Sequence, residues 1–469
     1  MAKKKKREHF RPTVFKLMAT EDKLTAASGL AAIMEVFDQS PLSAGFKAAL
    51  PPRSTANNRS MGSYRLGLVQ VNSFIYGHDC LDDLEEFRND PLLEAAMKGE
   101  VSAPKTVADF LRDFEREHND RMNGYLGTMS RAIRKQLIAV QPDEYKPAQA
   151  LTIDMDSTHH EQQGDKMEGL AWNYKNIWGL YSEVAFDELG LCHGVELAPG
   201  NTKPGSTCVP LIEHCFAGLK FKEKKFYRAD SAYCYAEVIQ TLIRLGVTYT
   251  IAAHDGTTGW RSHLDEIAEW TPWVYSPEEL EKAKKRDKTL PKVELGRFLW
   301  QPSWGDNLRI QTVVKRTWKE PEQLGLFEVP GEWQHYAIIT NWDLFQHSLQ
   351  DVMAFYLKWG SAENFIREEK YGYDLKHFPC QELRANYAFA QLAMVAHNIL
   401  RWIAVVQKPD KPHFSKKIRR RFVYIPGKII HHARQVFLKI PTRFYEEVQR
   451  LLPGLRFHPS QSAFASGFA

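Results

Sequence analysis

Three acidic residues stand in this sequence where folded chains often carry out chemistry. Asp156 closes an alternating stretch, Asp230 follows the short stretch 224–229, and Glu363 lies in a helical stretch. They are 74 and 133 residues apart. Carboxylates that converge on one point suit hard divalent cations, which prefer oxygen ligands. Two such ions can activate a water molecule and stabilise the leaving oxygen during cleavage of a phosphodiester.

The stretch 151–156 predicts a β-strand, because apolar residues alternate with polar ones. Asp154 and Asp156 then share one face of it. We expect residues 157–160 to leave the sheet, with His159 and His160 as polar loop residues. A solvated edge strand is the alternative for this stretch alone, since two buried carboxylates are costly unless a metal ion or a proton compensates them.

The order of elements after residue 146 decides whether the acidic residues can meet. The sequence predicts strands at 151–156, 178–187, 191–197, 224–229 and 247–252, with helices at 208–217 and 235–245. One strand, a hairpin and then alternating helices and strands is the order of an RNase H-like mixed sheet. There the ends of the first and fourth strands lie side by side, which would bring Asp156 and Asp230 together. A late helix, Gln350–Lys370, would carry Tyr356 and Glu363 on one side.

The predicted fold class is therefore α/β, with an RNase H-like mixed sheet and flanking helices. Three regions are predicted: an all-helical region 1–145, a region 146–400 that contains the mixed sheet and the three acidic residues, and a basic region 401–469. A helix in the first region, Lys105–Asn119, is expected to have Thr106 as its N-cap.

A β-rich insertion is predicted at 254–335, inside the region 146–400. Its helical piece is Pro277–Asp287, and it has strands at 297–301 and 308–318. Eight of the twelve tryptophans fall between His254 and Trp342. We expect most of them to be core residues; the alternative is that one or two stack on an unpaired base.

Composition and charge favour a soluble protein with a polyanionic partner. Hydrophobic residues make up 43% and charged residues 25% of the chain. Residues 407–469 hold 13 Lys/Arg against 3 Asp/Glu. The apolar run Ala388–Val406 contains Arg401, which predicts a core helix rather than a membrane span. Six cysteines without a Cys-x-x-Cys pair indicate reduced thiols in a cytoplasm, and the basic start, Lys3–Arg7, is not followed by the apolar segment of a signal peptide.

A resemblance to a known family joins these features. Asp156-Ser-Thr158 resembles the first-aspartate motif, and Arg228-Ala-Asp-Ser231 the second, of the DDE transposases (group 1) of bacterial insertion sequences. Tyr356-x2-Trp359-x3-Glu363-x6-Lys370 matches their Tyr-x2-Arg-x3-Glu-x6-Lys signature at three of four named positions. Trp359 stands where the family has arginine, which leaves Lys358 as the candidate for that phosphate contact. The likeness covers most of the chain.

The resemblance implies a metal-dependent transposase. Asp156, Asp230 and Glu363 would hold two Mg²⁺ ions, with Mn²⁺ as a substitute, and Asp154 is the second choice as a ligand. Water would cut one strand at the terminal inverted repeat, and the freed 3′-hydroxyl would attack another phosphodiester. A DNA hairpin intermediate with a flipped base is implied as an option within a cut-and-paste pathway.

The resemblance also implies partners and contacts. It assigns DNA-end binding or dimerisation to residues 1–145 and catalysis to residues 146–400. The partners it implies are the terminal inverted repeats and target DNA, bound by a homodimer. The setting it implies is the cytoplasm of a bacterium, associated with the nucleoid and without a membrane. The residues implied as DNA contacts are Tyr356, Lys358, Arg367, Lys370, Lys416, Lys417, Arg419, Arg420 and Arg421.

Two alternatives stay open beside this interpretation. The first is an inactive, transposase-derived DNA-binding protein, against which the presence of all three carboxylates counts. The second is a hydrolase that uses two carboxylates on another substrate, such as a glycoside. The basic C-terminal region and the third acidic residue argue against the second.

Overall fold

The computed structural model describes residues 15–55, 61–219, 224–305, 307–324 and 327–457. Its strands are β1 Leu24–Thr25, β2 Leu151–Glu161, β3 Ala171–Trp172, β4 Trp178–Asp187, β5 Cys192–Pro199, β6 Lys225–Ala229, β7 Thr248–Ala252, β8 Thr271–Pro272, β9 Val293–Trp300, β10 Ile310–Lys319, β11 Glu322–Leu324, β12 Phe327–Val329, β13 Glu332–Thr340, β14 Gly427–His432 and β15 Gln435–Lys439. Its helices are α1 Ser28–Asp38, α2 Pro41–Ala49, α3 Ser63–Tyr76, α4 Leu84–Arg88, α5 Pro91–Ala96, α6 Pro104–Arg112, α7 Arg116–Val140, α8 Cys208–Phe216, α9 Ala236–Arg244, α10 Asp255–Thr258, α11 Pro277–Lys285, α12 Leu349–Leu357, α13 Ala362–Gly372, α14 Leu383–Gln407, α15 Ser415–Ile418 and α16 Thr442–Leu455.

A ten-stranded mixed sheet organises the described chain. Its order is β3-β4-β2-β6-β7-β13-β10-β9-β8, and β5 also pairs with β4. The β2–β6 and β6–β7 pairs are parallel, and the other pairs are antiparallel. The predicted mixed α/β class is confirmed, as is the predicted order of hairpin, helix, strand, helix and strand after β2.

Strand β2 is longer than the sequence predicts. Its pairing with β4 continues from Ile153–Asp187 to Glu161–Gly179. The prediction that the chain leaves the sheet after Asp156 is therefore wrong, and His159 and His160 lie on the strand instead of in a loop. Residues 157–160 are polar, but β4 and α13 cover them, so their polarity did not indicate a loop.

The region 254–335 extends the main sheet. Strand β13 pairs with β7, so that Ile338 lies opposite Ala252, and β10, β9 and β8 follow outward. The strands predicted at 297–301 and 308–318 are confirmed within β9 and β10, and the helix predicted at Pro277–Asp287 is α11. The predicted domain boundaries stay predictions, although apolar side chains on both sides of residue 145 belong to one buried cluster.

Two predicted helices are wrong in their extent. The stretch Lys105–Asn119 is divided between α6 and α7, because Glu115 and His118 form a capping box that begins a new helix. Ala103, not Thr106, is the N-cap of α6. The predicted helix Gln350–Lys370 is likewise two helices, α12 and α13, joined by a 3-10 turn at Lys358–Ser361.

Helix α14 lies at the centre of the larger core. It contacts β5, α7 and α3, and it is long and apolar enough to span a membrane. Its most apolar window is 89% buried inside the protein, as expected for a core helix. The regular elements within 15–55 and 61–145 are helices, apart from a short 3-10 turn at Asp143–Tyr145 and β1, which pairs with β14. The prediction of an all-helical N-terminal region is wrong at β1, because β14 supplies a partner that local sequence cannot show.

Candidate active site

The central parallel pair of strands brings two of the predicted carboxylates together. Met155 of β2 lies opposite Ala229, the last residue of β6. Asp156 and Asp230 therefore follow at equivalent positions, where β6 ends and β2 continues. Beyond this point β2 continues without β6 beside it, and a cavity lies next to Asp230.

Local hydrogen bonds fix the two aspartates. An oxygen of Asp156 accepts a bond from the backbone N–H of Ser157 at 2.7 Å. Asp230 caps the 3-10 turn Ser231–Tyr233, and its Oδ1 accepts a bond from the N–H of Ala232 at 2.9 Å. One oxygen of each carboxylate is left without such a bond among the described residues.

The turn between α12 and α13 carries Glu363 to the same place. Trp359 Nε1 donates to the backbone oxygen of Met155 at 3.3 Å. The Trp359 ring lies parallel to that of Tyr356, with centroids 6.4 Å apart. Glu363 follows in the first turn of α13, exposed to solvent. Trp359, at the signature's arginine position, thus anchors the turn to β2.

The three carboxylates are close enough to influence one another's charge. Burial raises the pKa of Asp156 to about 7, and the negative charges of Asp230 and Glu363 add to the increase. Burial also raises the pKa of Asp230. Within the described ranges neither aspartate forms an ion pair. Such a cluster is unfavourable on its own and becomes favourable when cations bind between the oxygens. The donor set thus fits divalent metal ions.

Asp154, the second choice as a ligand, has a different partner. Its two carboxylate oxygens accept hydrogen bonds from Arg228 Nε and Nη2, at 2.6 and 2.8 Å. Arg228 Nη1 also donates to the backbone oxygen of Phe355, at 2.8 Å. This buried pair joins β2, β6 and α12 two residues before Asp156 and Asp230, which makes Asp154 a poor metal ligand.

The predicted DNA contacts near the carboxylates differ in exposure. Tyr356 is buried, and its hydroxyl shares a 2.6 Å hydrogen bond with that of Tyr336. Lys370 is half-buried, and burial lowers its pKa. Lys358 and Arg367 are exposed. The three cations, Lys358, Arg367 and Lys370, are therefore at least partly exposed, whereas Tyr356 is packed inside the protein.

The basic segment after α14 is only partly a surface. Lys416, Lys417 and Arg420 are exposed, and Arg421 Nε pairs with Glu447 at 3.0 Å. Arg419, which the resemblance implies as a DNA contact, is not on the surface. Its guanidinium is buried and donates to the backbone oxygens of α3 residues Phe74 and Ile75, at 2.8 and 3.0 Å.

An aromatic cavity of about 340 Å³ lies beside Asp230. The aromatic side chains that line it are Trp260, Tyr336, Tyr356 and Trp359. Several tryptophans of the region 254–342 are packed away as expected: Trp260 and Trp300 are buried, and Trp270 and Trp333 enclose the guanidinium of Arg316.

Three residues next to the carboxylates were not assigned to the site from the sequence: Lys175, Glu369, and His160, which was expected to be a polar loop residue. Lys175 lies in the β3–β4 turn. Burial raises the pKa of Asp156 and of Asp230, and the positive charge of Lys175 counteracts this increase. Glu369 of α13 is buried, and His160 Nε2 lies 4.0 Å from its Oε1. Lys175 lies in a polar stretch with no motif, and Glu369 adjoins Lys370 of the signature without being part of it, so spacing gave no signal for any of the three.

Comparison with known proteins agrees with this arrangement. The family model described as transposase DDE domain group 1 matches residues 11–452. No match was found among curated proteins. Because the match spans nearly the whole chain, which also carries Asp156, Asp230 and Glu363 in the expected order, the chain belongs to the transposase family with a group 1 DDE domain.

Proposed function

We propose that this chain is a DNA transposase of an insertion sequence with an RNase H-like catalytic domain, and that Asp156, Asp230 and Glu363 are its metal-binding carboxylates. One observation carries the proposal. Two half-buried aspartates lie side by side where the parallel pairing of β2 with β6 ends, and Glu363 is near enough to raise the pKa of Asp156 further. Membership in the family supports DNA as the substrate.

The carboxylates would hold two Mg²⁺ ions, with Mn²⁺ as a substitute. Bound there, the ions would supply an activated water and neutralise charge on the phosphate and on the leaving oxygen. In each of Asp156 and Asp230, one carboxylate oxygen accepts a backbone hydrogen bond. The other oxygen of each would be the ligand atom. Glu363 closes the site from α13.

Other side chains of this chain would orient the DNA. Lys370 and Lys358 would bind phosphates on either side of the cut, with Arg367 farther along α13. Trp359 would hold α13 against β2 through its bond to Met155. Tyr356, bonded to Tyr336, would form a wall of the site instead of contacting a phosphate with its hydroxyl.

The aromatic cavity beside Asp230 would accept a flipped base if the pathway passes through a DNA hairpin. Its volume of about 340 Å³ and its rings are of the kind that hold a base out of the stack. Trp260→Ala should then impair hairpin formation more than first nicking. Equal loss at both steps would assign Trp260 to the core.

The alternatives are weaker on the same geometry. A non-catalytic DNA-binding protein has no use for a cluster of three carboxylates, two of them half-buried, that needs cations to stabilise it. A glycoside hydrolase needs two carboxyl groups and no third. We also propose that the active form is a homodimer on paired terminal repeats, in the cytoplasm of a bacterium and associated with its nucleoid.

The test is strand cleavage of end-labelled DNA taken from either side of the coding sequence. The wild-type chain should cut in Mg²⁺ and not in EDTA. Asp156→Asn, Asp230→Asn and Glu363→Gln should each reduce cutting at least about 100-fold and leave binding in EDTA intact. Normal cleavage by one variant would remove that residue from the site; no cleavage by the wild type in any metal would favour the non-catalytic alternative.

A further inference from the structure

An exposed aromatic turn lies at the same end of the sheet as the carboxylates. The β3–β4 turn carries Trp172, which is 62% exposed, and Tyr174, which is 68% exposed. Trp172 lies directly opposite Trp178 in the strand pair, and their ring centroids are 5.5 Å apart. Large exposed aromatic clusters on a soluble surface usually mark a place of contact.

The turn is held in a fixed shape. Asn173 Oδ1 accepts hydrogen bonds from the N–H groups of Lys175 and Ile177, at 2.8 and 2.9 Å. Asn176 takes the left-handed conformation, with φ of 56°. Trp178 Nε1 donates to the backbone oxygen of Gly164 at 2.8 Å. A preformed surface of this kind loses little conformational entropy on binding.

The turn is adjacent to the carboxylates. Lys175 of the turn is close enough to Asp156 and Asp230 for its charge to act on both. The Tyr174 ring contacts that of His159, with centroids 6.0 Å apart; His159 lies three residues after Asp156 on β2 and points to the other face of the strand. Lys175 is exposed, and its ammonium lies 5.3 Å from the centre of the Tyr174 ring. Its charge also acts on Lys370. Two lysines from different elements thus flank Asp156.

We propose that Trp172, Tyr174 and Lys175 form a binding surface for unpaired DNA next to the carboxylates. The two rings stack on bases, and the ammonium group binds a phosphate of the same strand. Stacking suits this surface because every base has an aromatic face and the rings are solvent-exposed. This surface lies on the β3–β4 turn, on the β4 side of β2. The aromatic cavity is a different place, because residues of β7 and β13, on the other side of β6, line it.

This inference rests on the proposed function in one respect, that the chain binds DNA, but it does not require cleavage. The probes are a labelled blunt duplex and the same duplex with a single-stranded thymine tail, both titrated in EDTA by fluorescence anisotropy. Trp172→Ala and Tyr174→Ala should each bind the tailed duplex at least about fivefold more weakly than the wild type. Binding of the blunt duplex should change less than about twofold.

Matched variants separate stacking from folding. Tyr174→Phe keeps the ring and should bind the tailed duplex as the wild type does. Phe345 lies after the C-terminal end of β13, and its ring is 95% exposed. Phe345→Ala should have no effect on the binding of either probe. Lys175→Ala should reduce the slope of log affinity against log salt by about one phosphate contact, while Lys175→Arg and the remote Lys47→Ala should not.

Three results would overturn the inference. Unchanged binding of the tailed duplex by Trp172→Ala and Tyr174→Ala would remove the surface from DNA binding. Equal loss on both probes would contradict recognition of unpaired DNA. A shift in oligomeric state by light scattering, with DNA binding unchanged, would assign the turn to a subunit contact. Failure to cut DNA, by contrast, would leave this inference standing and would sink only the proposed function.

Discussion

At the scale of single residues, Asp156 combines burial with negative neighbours. Without cations the folded state carries an unfavourable cluster, so Asp156→Asn should raise the melting temperature in EDTA. Mg²⁺ should raise the melting temperature of the wild type, because a ligand that binds only the folded state stabilises it, by about 2.7 kcal/mol at 100 times its Kd. The Asn variant should respond much less.

Differential scanning fluorimetry with and without Mg²⁺ measures both effects. Asp410→Asn, a change to a carboxylate in the loop after α14, is the matched control and should leave the Mg²⁺ response intact. An Asn variant of Asp156 with the full Mg²⁺ response would contradict metal binding by this residue.

A second residue, Glu369, predicts a pH dependence of stability. Burial raises its pKa from 4.5 to about 8, the charge of Lys370 opposes the increase, and that of Asp156 adds to it. Between these values the folded state keeps a proton that the unfolded state releases, so the free energy of unfolding should fall as pH rises from about 4.5 to 8. Glu369→Gln should remove this part of the pH dependence.

Urea unfolding at pH 5 and pH 8 checks the prediction. We compare the free energy of unfolding of the Gln variant with that of the wild type at each pH. The difference should be larger at pH 8 than at pH 5, in favour of the variant, by about 2 kcal/mol or more, since a tenfold difference in proton affinity is worth about 1.4 kcal/mol. Equal pH dependence in both proteins would show that Glu369 is charged in the folded state. Glu368→Gln is the neighbouring control.

Residue types predicted the carboxylates but not their surroundings. The motifs around Asp156, Asp230 and Glu363 lie close along the chain, so they could be recognised from the sequence. Glu369 is buried because α13 packs against β2, and Arg419 is buried because the basic segment packs against α3. In both cases the partner element is far away in the sequence. Local patterns carry no information about such contacts, so the sequence did not show that Arg419 is buried.

At the scale of elements, the Asp154–Arg228 pair joins β2, β6 and α12 and so positions the carboxylates. Arg228→Ala leaves a buried charge without its partner and should lower the free energy of unfolding by about 3–5 kcal/mol. The double change Asp154→Leu, Arg228→Met should cost less, because no charge is left buried. Guanidinium unfolding of the three proteins measures the difference; a double variant as unstable as the single one would contradict the charge argument.

The extents of elements were harder to predict than their order. Alternation identified β2 and the hairpin after it, since one face of each strand is apolar. Alternation could not show that β2 continues through polar residues, because β4 and α13 bury them. The seven-residue spacing of Tyr356, Glu363 and Lys370 suggested one helix, yet a 3-10 turn interrupts it, so Trp359 reaches the backbone of Met155.

At the scale of the whole molecule, the positive charge is concentrated after residue 406. Lys416→Ala, Lys417→Ala and Arg420→Ala should weaken DNA binding on any sequence and reduce its salt dependence by about one contact each. Arg419→Ala should instead lower stability, because it removes the hydrogen bonds to Phe74 and Ile75 oxygens. Anisotropy across salt concentrations and thermal unfolding separate these outcomes; loss of affinity without loss of stability in Arg419→Ala would contradict the assignment.

The mixed sheet was predictable as a class, and its full width was not. Strand order through β7 followed from the succession of patterns along the chain. The joining of β13 to β7, across more than 80 intervening residues, depends on pairing that local sequence does not encode. The structure was likewise needed to show that Trp260 is buried and that its ring also lines the aromatic cavity.

We propose above all that Asp156, Asp230 and Glu363 together bind divalent cations. Crystals of the chain soaked in Mn²⁺ would test it most directly through anomalous scattering. If the three carboxylates bind the cations together, anomalous peaks should lie within about 2.5 Å of oxygens of all three, and excess Mg²⁺ should remove these peaks. Peaks elsewhere, or none between these side chains at saturating Mn²⁺, would contradict it.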